Sequence, residues 1–282
     1  MPCKVTADMV ETLSREFSAK EILFQMGPTK ALGPDGMNAL FYQKFWHIVG
    51  NDLIAAVLDF LNFGIMLLEI NYTHIFLIPK TKSLERITNY RPITLCNVIY
   101  KIISKVLANK LNLILPKLIS PSQNAFVPGR LITDNVLVAY ETLHAMHSMR
   151  SGRRGSLALK LDISKAYDRV EQDFLKGIMK KLGLLERWID RVMSCVTSTS
   201  FSVCINVKAF GNIRPFGGLR QGDLLSPYLF LLCAEEFSSM LAKAQDEGRV
   251  HGVAICRRAP CISHLLFADD LLLFYRANQE EV

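Results

Sequence analysis

The sequence has little of what marks a disulfide-stapled, zinc-bound or secreted protein. Its seven cysteines are scattered and odd in number; Cys256 and Cys261 are the nearest pair, and neither C-x-x-C nor a Cys/His zinc spacing occurs. Reduced, mostly buried thiols in an intracellular protein are therefore expected. The N-terminal stretch "MPCKVTADMVETLSREF" lacks an apolar signal core. The best membrane candidate, "IAAVLDFLNFGIMLLEI" (54–70), is interrupted by Asp59, Asn62 and Gly64 and falls short of the roughly 20 apolar residues that a span needs, so it predicts a buried helix and no membrane partner. There is no internal repeat, no low-complexity tract and no basic cluster dense enough to argue a nuclear import signal. None of the six histidines sits in a motif that suggests a catalytic base.

What is present is an ordinary globular balance: 282 residues, 50% hydrophobic and 21% charged. A net charge of +7, from 33 Lys and Arg against 26 Asp and Glu, favours a polyanionic partner but is too mild to establish one.

Helices and β-rich runs alternate irregularly, an α+β order. Glu11 to Met26 predicts a helix stopped at Gly27-Pro28, with a capping box at Ser18 and Glu21. "ALGPDGM" (31–37) is a turn before an apolar helical region reaching Gly64. "THIFLIPK" (73–80) reads as a strand, and Val98 to Leu111 as a helix with Lys101, Lys105 and Lys110 on its other face, either solvated or facing RNA. Asp134 is placed as the cap of a helix running to Met149, and "SGRRGS" (151–156) as a linker. In "LALKLDIS", Leu157, Leu159 and Leu161 alternate with Ala158, Lys160 and Asp162, predicting a half-buried strand that ends with Asp162 on its polar face. Helices before and after Gly183 follow, then a strand at "FSVCINVK" turned back by "AFGN". The loop "GGLRQGDLLSP" leads through Ser226-Pro227 into a helix reaching Gly248.

The chemistry concentrates in "LLFADDLLLFYR" (265–276), where Asp269 and Asp270 interrupt the greasiest part of the chain. Burying unpaired carboxylates costs several kcal/mol, and neighbours repel. Adjacent side chains on a strand point apart, so the two aspartates converge only in a hairpin turn. Mg²⁺, a hard cation with oxygen ligands, is the natural compensating charge, and Asp162 at the end of its own strand is the obvious third carboxylate. Two ions about 3.5–4 Å apart serve in-line phosphoryl displacement. Read alone, two acidic residues between apolar runs are equally an ordinary hairpin turn.

Three stretches together change that balance. "LKLDISKAYDRV" (159–170), "GGLRQGDLLSPYLF" (217–230) and "LLFADDLLLF" (265–274) resemble, in order, motifs A, B and C of reverse transcriptases. "FLIPKTKSLERITNYRPITLCNVIYKIISKVLANKL" (76–111) resembles the finger motifs of the non-LTR, LINE-type branch, and "KALGPDGM" (30–37) and "SQNAFVPGRLITDNVLVAYE" (122–141) resemble further segments of that branch, especially in plant-like elements.

The resemblance implies the fingers and palm of a right-hand polymerase: a helical lead-in at 1–27, fingers at 28–155 and an incomplete palm at 156–282, interleaved, with a ferredoxin-like palm sheet and flanking helices. It implies that Asp162, Asp269 and Asp270 are the catalytic, metal-binding aspartates, assisted by the carbonyl of Ile163, with Asp270 less central. The cofactor would be two Mg²⁺ ions, with Mn²⁺ as a substitute. Lys80 and Arg91 match residues that grip the triphosphate, with Arg86 a poorer match. Tyr167 matches an aromatic gate against ribonucleotides, and Gln221 and Gly222 match nucleotide and template contacts. Asp168 is better read as a helix-start aspartate. The partners would be an RNA template, a DNA primer and dNTPs, and the location nuclear; the oligomeric state is left open.

The sequence runs to Val282, seven residues past Tyr275, without the lysine-bearing palm segment, primer grip, thumb or endonuclease that the family carries. The expectation is a fingers-and-palm piece with exposed apolar surface. Its rival is a truncated, catalytically inactive nucleic-acid-binding remnant. A third reading, an RNA-dependent RNA polymerase, is disfavoured by Tyr167 and by the finger motifs.

Overall fold

A computed structural model describes residues 4–22, 27, 31–82, 85–148, 155–256 and 258–277. In chain order the elements are helices α1 (Ala7–Ser14), α2 (Ala19–Ile22), α3 (Ala39–Lys44) and α4 (Trp46–Phe63), and strands β1 (Tyr72–Pro79) and β2 (Tyr90–Cys96). Next come α5 (Val98–Leu118), α6 (Ile132–Ser148), β3 (Ser156–Asp162), α7 (Gln172–Leu182) and α8 (Glu186–Thr197). The chain continues with β4 (Ser200–Ile205), β5 (Lys208–Ile213), α9 (Ser226–Asp246), β6 (Val253–Ala254), β7 (Cys261–Ile262), β8 (His264–Phe267) and β9 (Asp270–Arg276). The α+β class is as expected.

The chain forms two compact units. The first comprises Met1–Lys4, Asn112–Ala166 and Pro227–Val282, and the second Val5–Leu111 and Tyr167–Ser226. The first unit is built on an antiparallel sheet of order β3-β9-β8. Leu266, Leu271 and Leu273, sharing one face of its hairpin, are almost wholly buried and packed by Leu241 of α9 and by Tyr275. The second unit holds a four-stranded sheet of order β2-β1-β4-β5, in which β1 pairs β4 in parallel and the other pairs are antiparallel. Its core includes Val57, Leu61, Ile103 and Leu107. Leu175, Met179 and Trp188 from the packed pair α7 and α8 are buried as well. The glycine stop of α7 is as expected: Gly183 and Leu184 donate to the carbonyls of Lys180 and Met179, closing the last turn.

Several local expectations are corrected. The Glu11–Met26 helix is broken at Arg15–Ser18. Ser18 donates its N–H and hydroxyl to Glu21 at 2.7 and 3.0 Å, so the capping box starts a second helix instead of lying within one. Residues 23–26 and 28 are outside the described set, as are 149 and 151–154 of the predicted helix end and linker. "AFGN" lies inside β5; the turn is Asn206-Val207, both with positive φ, the conformation that matches the twist of a tight hairpin. Asp134 sits in the first turn of α6, reaching back to accept from the Leu131 N–H at 3.0 Å.

Two lysines of the α5 face are engaged within the protein. Lys110 is buried, donates to the Arg15 carbonyl and lies 3.6 Å from the Phe17 ring centroid. Burial pulls its pKa below the usual lysine value. Lys101 donates to the Ala31 carbonyl at 2.6 Å. Strand β3 is more exposed than its alternation predicts, with Leu159 and Leu161 each 40% exposed. It is the outer strand of its sheet among the described residues, so the leucines cover only one side.

The thiols follow the reduced, buried expectation in part. Cys96, Cys195 and Cys204 are buried and Cys233 is partly so, whereas Cys256 and Cys261 are exposed. Desolvation pushes the Cys233 thiol up to about 12, far from thiolate chemistry. Among the described residues, no helix is long and apolar enough to cross a membrane.

Candidate active site

In the first unit, β8 and β9 are joined by the two-residue turn Ala268-Asp269, closed by the pair Phe267 and Asp270. Ala268 has φ 55°, a left-handed conformation that costs a residue with a Cβ about 1–2 kcal/mol. The other neighbour of β9 is β3, whose register sets Asp162 directly opposite Asp270. Opposed residues on antiparallel strands share a face, with Cα atoms about 4.5–5.5 Å apart. Next to them the Ile163 N–H donates to the Asp269 carbonyl at 3.2 Å. Thus the strand ends bring Asp162 and Asp270 together, with Asp269 in the adjoining turn.

The aspartates escape the burial that their flanks suggest. Asp162 and Asp270 are exposed and Asp269 is half-buried, while Leu266 and Leu271 beside the turn face inward. Lys160, two residues before Asp162 on the same face, places Nζ 3.3 Å from Asp270 Oδ1. Sequence reasoning missed that cation, although the alternation of β3 put it on the polar face.

Among the described residues, no group of three carboxylates, imidazoles or thiols is gathered so as to hold a metal ion by itself. Mg²⁺, however, is commonly held by one or two carboxylates plus substrate phosphates and water. Two exposed carboxylates sharing one face, with a third in the next turn, are hard oxygen donors open to such a substrate. In the chemistry of their donor atoms the residues fit the ion.

Behind the hairpin, His264 is buried among serines. Its Nε2 lies 2.9 Å from Ser122 Oγ and 2.7 Å from Ser238 Oγ, and its Nδ1 is 3.0 Å from Ser263 Oγ. Burial lowers its pKa, with the charge of Glu235 opposing. These groups border a cavity of about 790 Å³.

The second unit carries the other predicted residues. Lys80 and Arg91 are exposed on the β1–β2 hairpin, where Arg91 pairs with Ile78 and Lys80 donates its N–H to the Asn89 carbonyl at 2.8 Å. Arg86, also exposed, precedes the short turn Ile87–Asn89 within that connection. Tyr167 is half-buried and opens a 3₁₀ turn, Tyr167–Arg169, in which Asp168 is exposed.

That turn is bound to the glycine-rich loop. Gly218 and Leu219 donate to the carbonyls of Val170 and Tyr167 at 2.7 and 2.8 Å. A Cβ on Gly218 would come within 3.2 Å of the Asp168 backbone, at φ 84°. Further along the loop the pattern is buried, exposed, exposed, buried for Arg220, Gln221, Gly222 and Asp223. Arg220 donates to Thr199 Oγ1 at 2.7 Å and to Asn71 Oδ1, with its guanidinium 4.2 Å from the Tyr100 ring centroid. Asp223 accepts from the Tyr100 hydroxyl at 2.8 Å and from Ser104. Burial and the Asp223 charge together raise the Tyr100 pKa well above its ordinary value. Between the two anchors, the Gln221 carbonyl accepts from Thr94, and Gly222 takes φ 93°. Arg220 and Asp223 were not singled out from the sequence; a charge on each side of Gln-Gly was the available signal.

Residues 78–282 match the family described as reverse transcriptase (RNA-dependent DNA polymerase). The chain is 31% identical, over 88% of its length, to the Transposon TX1 uncharacterized 149 kDa protein of Xenopus laevis, covering 18% of that protein. It is 29% identical, over 70% of its length, to the Retrovirus-related Pol polyprotein from type-2 retrotransposable element R2DM of Drosophila melanogaster, covering 17% of it. A type-1 R2 Pol polyprotein of Popillia japonica is 27% identical over 70% of the chain and 26% of its own length. The chain thus spans at most about a quarter of these relatives. It belongs to the reverse transcriptase family.

Proposed function

We propose that the chain carries the nucleotide-adding core of an RNA-directed DNA polymerase. The observation that carries this reading is the register that sets Asp162 opposite Asp270, beside the turn bearing Asp269. Reverse transcriptases use divalent metal ions. Asp162, Asp269 and Asp270 would hold two Mg²⁺ or Mn²⁺ ions, with the Ile163 carbonyl assisting. Such ions, when bound, lower the pKa of an attacking hydroxyl and stabilise a leaving oxygen.

The reaction is attack of a DNA primer 3′-hydroxyl on the α-phosphorus of a dNTP paired to an RNA template, with release of pyrophosphate. The chain's own part is placement. Lys80 and Arg91 are cations on one exposed hairpin, suited to triphosphate oxygens. Tyr167, tied by its carbonyl to the loop of Gln221 and Gly222, packs against the sugar and leaves no room for a 2′-hydroxyl. Gln221 offers a donor and an acceptor, and Gly222 lets backbone approach the nucleotide. In this reading 28–155 serve as fingers and 156–282 as palm, after a lead-in at 1–27, and the work is nuclear.

Primer extension on an RNA template with Mg²⁺ tests the proposal. The 282-residue chain is expected to add dNTPs and reject rNTPs, and Tyr167→Ala to admit rNTPs without weakening primer-template binding. A chain that binds primer-template yet adds no nucleotide contradicts the proposal and supports a binding module instead.

A further inference from the structure

The segment 122–141 has no part in the reaction as derived above, yet its hydrogen bonds converge on the aspartate hairpin. The Leu266 N–H donates to the Ser122 carbonyl at 2.7 Å, and the Leu266 carbonyl accepts from the Asn124 N–H at 3.2 Å and from Asn135 Nδ2 at 2.7 Å. Gln123 and Leu266 form a parallel bridge, so this segment lines β8 like a further strand.

The side chain of Gln123, 1% exposed, reaches past β8 to the turn itself. Its Oε1 accepts from the Ala125 N–H at 2.9 Å and the Ala268 N–H at 3.1 Å, while Nε2 lies 3.5 Å from the Ala268 carbonyl. Ala268 is the residue at φ 55°, and Asp269 follows it directly. Gln123 is held in turn by Arg130, whose Nη1 donates to the carbonyls of Gln123 and Ser120 at 2.6 and 2.5 Å. The Arg130 Nη2 donates to the Ile119 carbonyl at 2.8 Å.

We propose that Gln123 is a positioning residue: its amide brackets the strained residue Ala268 before Asp269 and so presents the hairpin aspartates to a divalent ion. A primary amide suits this task because it offers an acceptor to the Ala268 N–H and a donor to the Ala268 carbonyl at once. A simple turn would use glycine at such a φ; here alanine is kept in place by a side chain from another segment. The inference rests on the proposed metal-binding role of the aspartates. It assigns to the "SQNAF" segment the bracing of the catalytic turn.

Two measurements on the full chain test it: Mn²⁺ binding by calorimetry and hydrogen exchange across 264–276. Gln123→Ala should speed exchange at the turn and weaken Mn²⁺ binding by about tenfold to a hundredfold. Adding Ala268→Gly should restore part of that affinity, since glycine takes the same φ unaided. Should Gln123→Ala not fold, Gln123→Met, which keeps much of the side-chain volume and loses both hydrogen bonds to Ala268, should show a loss of the same kind. Unchanged Mn²⁺ affinity in a folded variant overturns the proposal, whether or not exchange rises. A wild-type chain that binds no Mn²⁺ instead overturns the metal role of the aspartates, a separate failure.

Discussion

The hairpin turn of the first unit and the Arg220–Asp223 loop of the second solve one problem in opposite ways. Each must hold polar residues at the surface in a backbone conformation that most residues avoid. In the hairpin the charges are exposed and the anchoring is apolar, through Leu266, Leu271 and Leu273 on the strands that flank them. In the loop the charges are the anchors: Arg220 and Asp223 turn inward and are hydrogen-bonded, leaving neutral Gln221 and Gly222 outside. A charge near the candidate residues is therefore no guide to its role. One that is exposed beside buried leucines is available for chemistry, while one that is buried and bonded is scaffolding.

The contrast breaks most visibly at the aspartates. Asp223→Ala leaves the Tyr100 hydroxyl and Ser104 without their acceptor and should cost about 3 kcal/mol or more in urea denaturation. Asp270→Ala, at an exposed position, should cost less than about 1 kcal/mol. Equal losses at the two positions would erase the distinction.

A smaller effect should come with pH. Burial lowers the folded pKa of His264 below its ordinary 6.5, so the unfolded chain binds more protons there. Its contribution to stability is present above about 6.5 and lost as pH falls through the lower folded value. Denaturation midpoints should drop on acidification across that window, and His264→Gln should flatten the drop. The smallest effect belongs to Lys160→Ala, which removes only a solvent-exposed pair and should shift stability by less than about 1 kcal/mol.

Much of this was legible from local patterns because period and punctuation act locally. The strand ending at Asp162 follows from alternation, the stop at Gly183 from glycine, and the hairpin from the apolar runs on either side of the two aspartates, although only Asp269 lies in the turn and Asp270 opens β9. What escaped depends on partners far along the chain. Nothing within "LALKLDIS" says that β3 is the outer strand, so Leu159 and Leu161 were expected to be covered. Nothing near Lys110 announces Phe17, whose ring and neighbouring carbonyl turn an apparent surface lysine inward. Gln123 stood inside a recognised segment, but its contact with Ala268, 145 positions away, is visible only in the fold.

In the proposed function, Asp162 and the two hairpin aspartates act together on a divalent ion. The most direct test is the Mn²⁺ affinity of Asp162→Asn, taken beside dNTP incorporation by the same preparation. Ion binding is expected to weaken sharply and incorporation to fall to background, although the protein stays folded. Wild-type ion affinity and undiminished incorporation in Asp162→Asn would contradict that joint action.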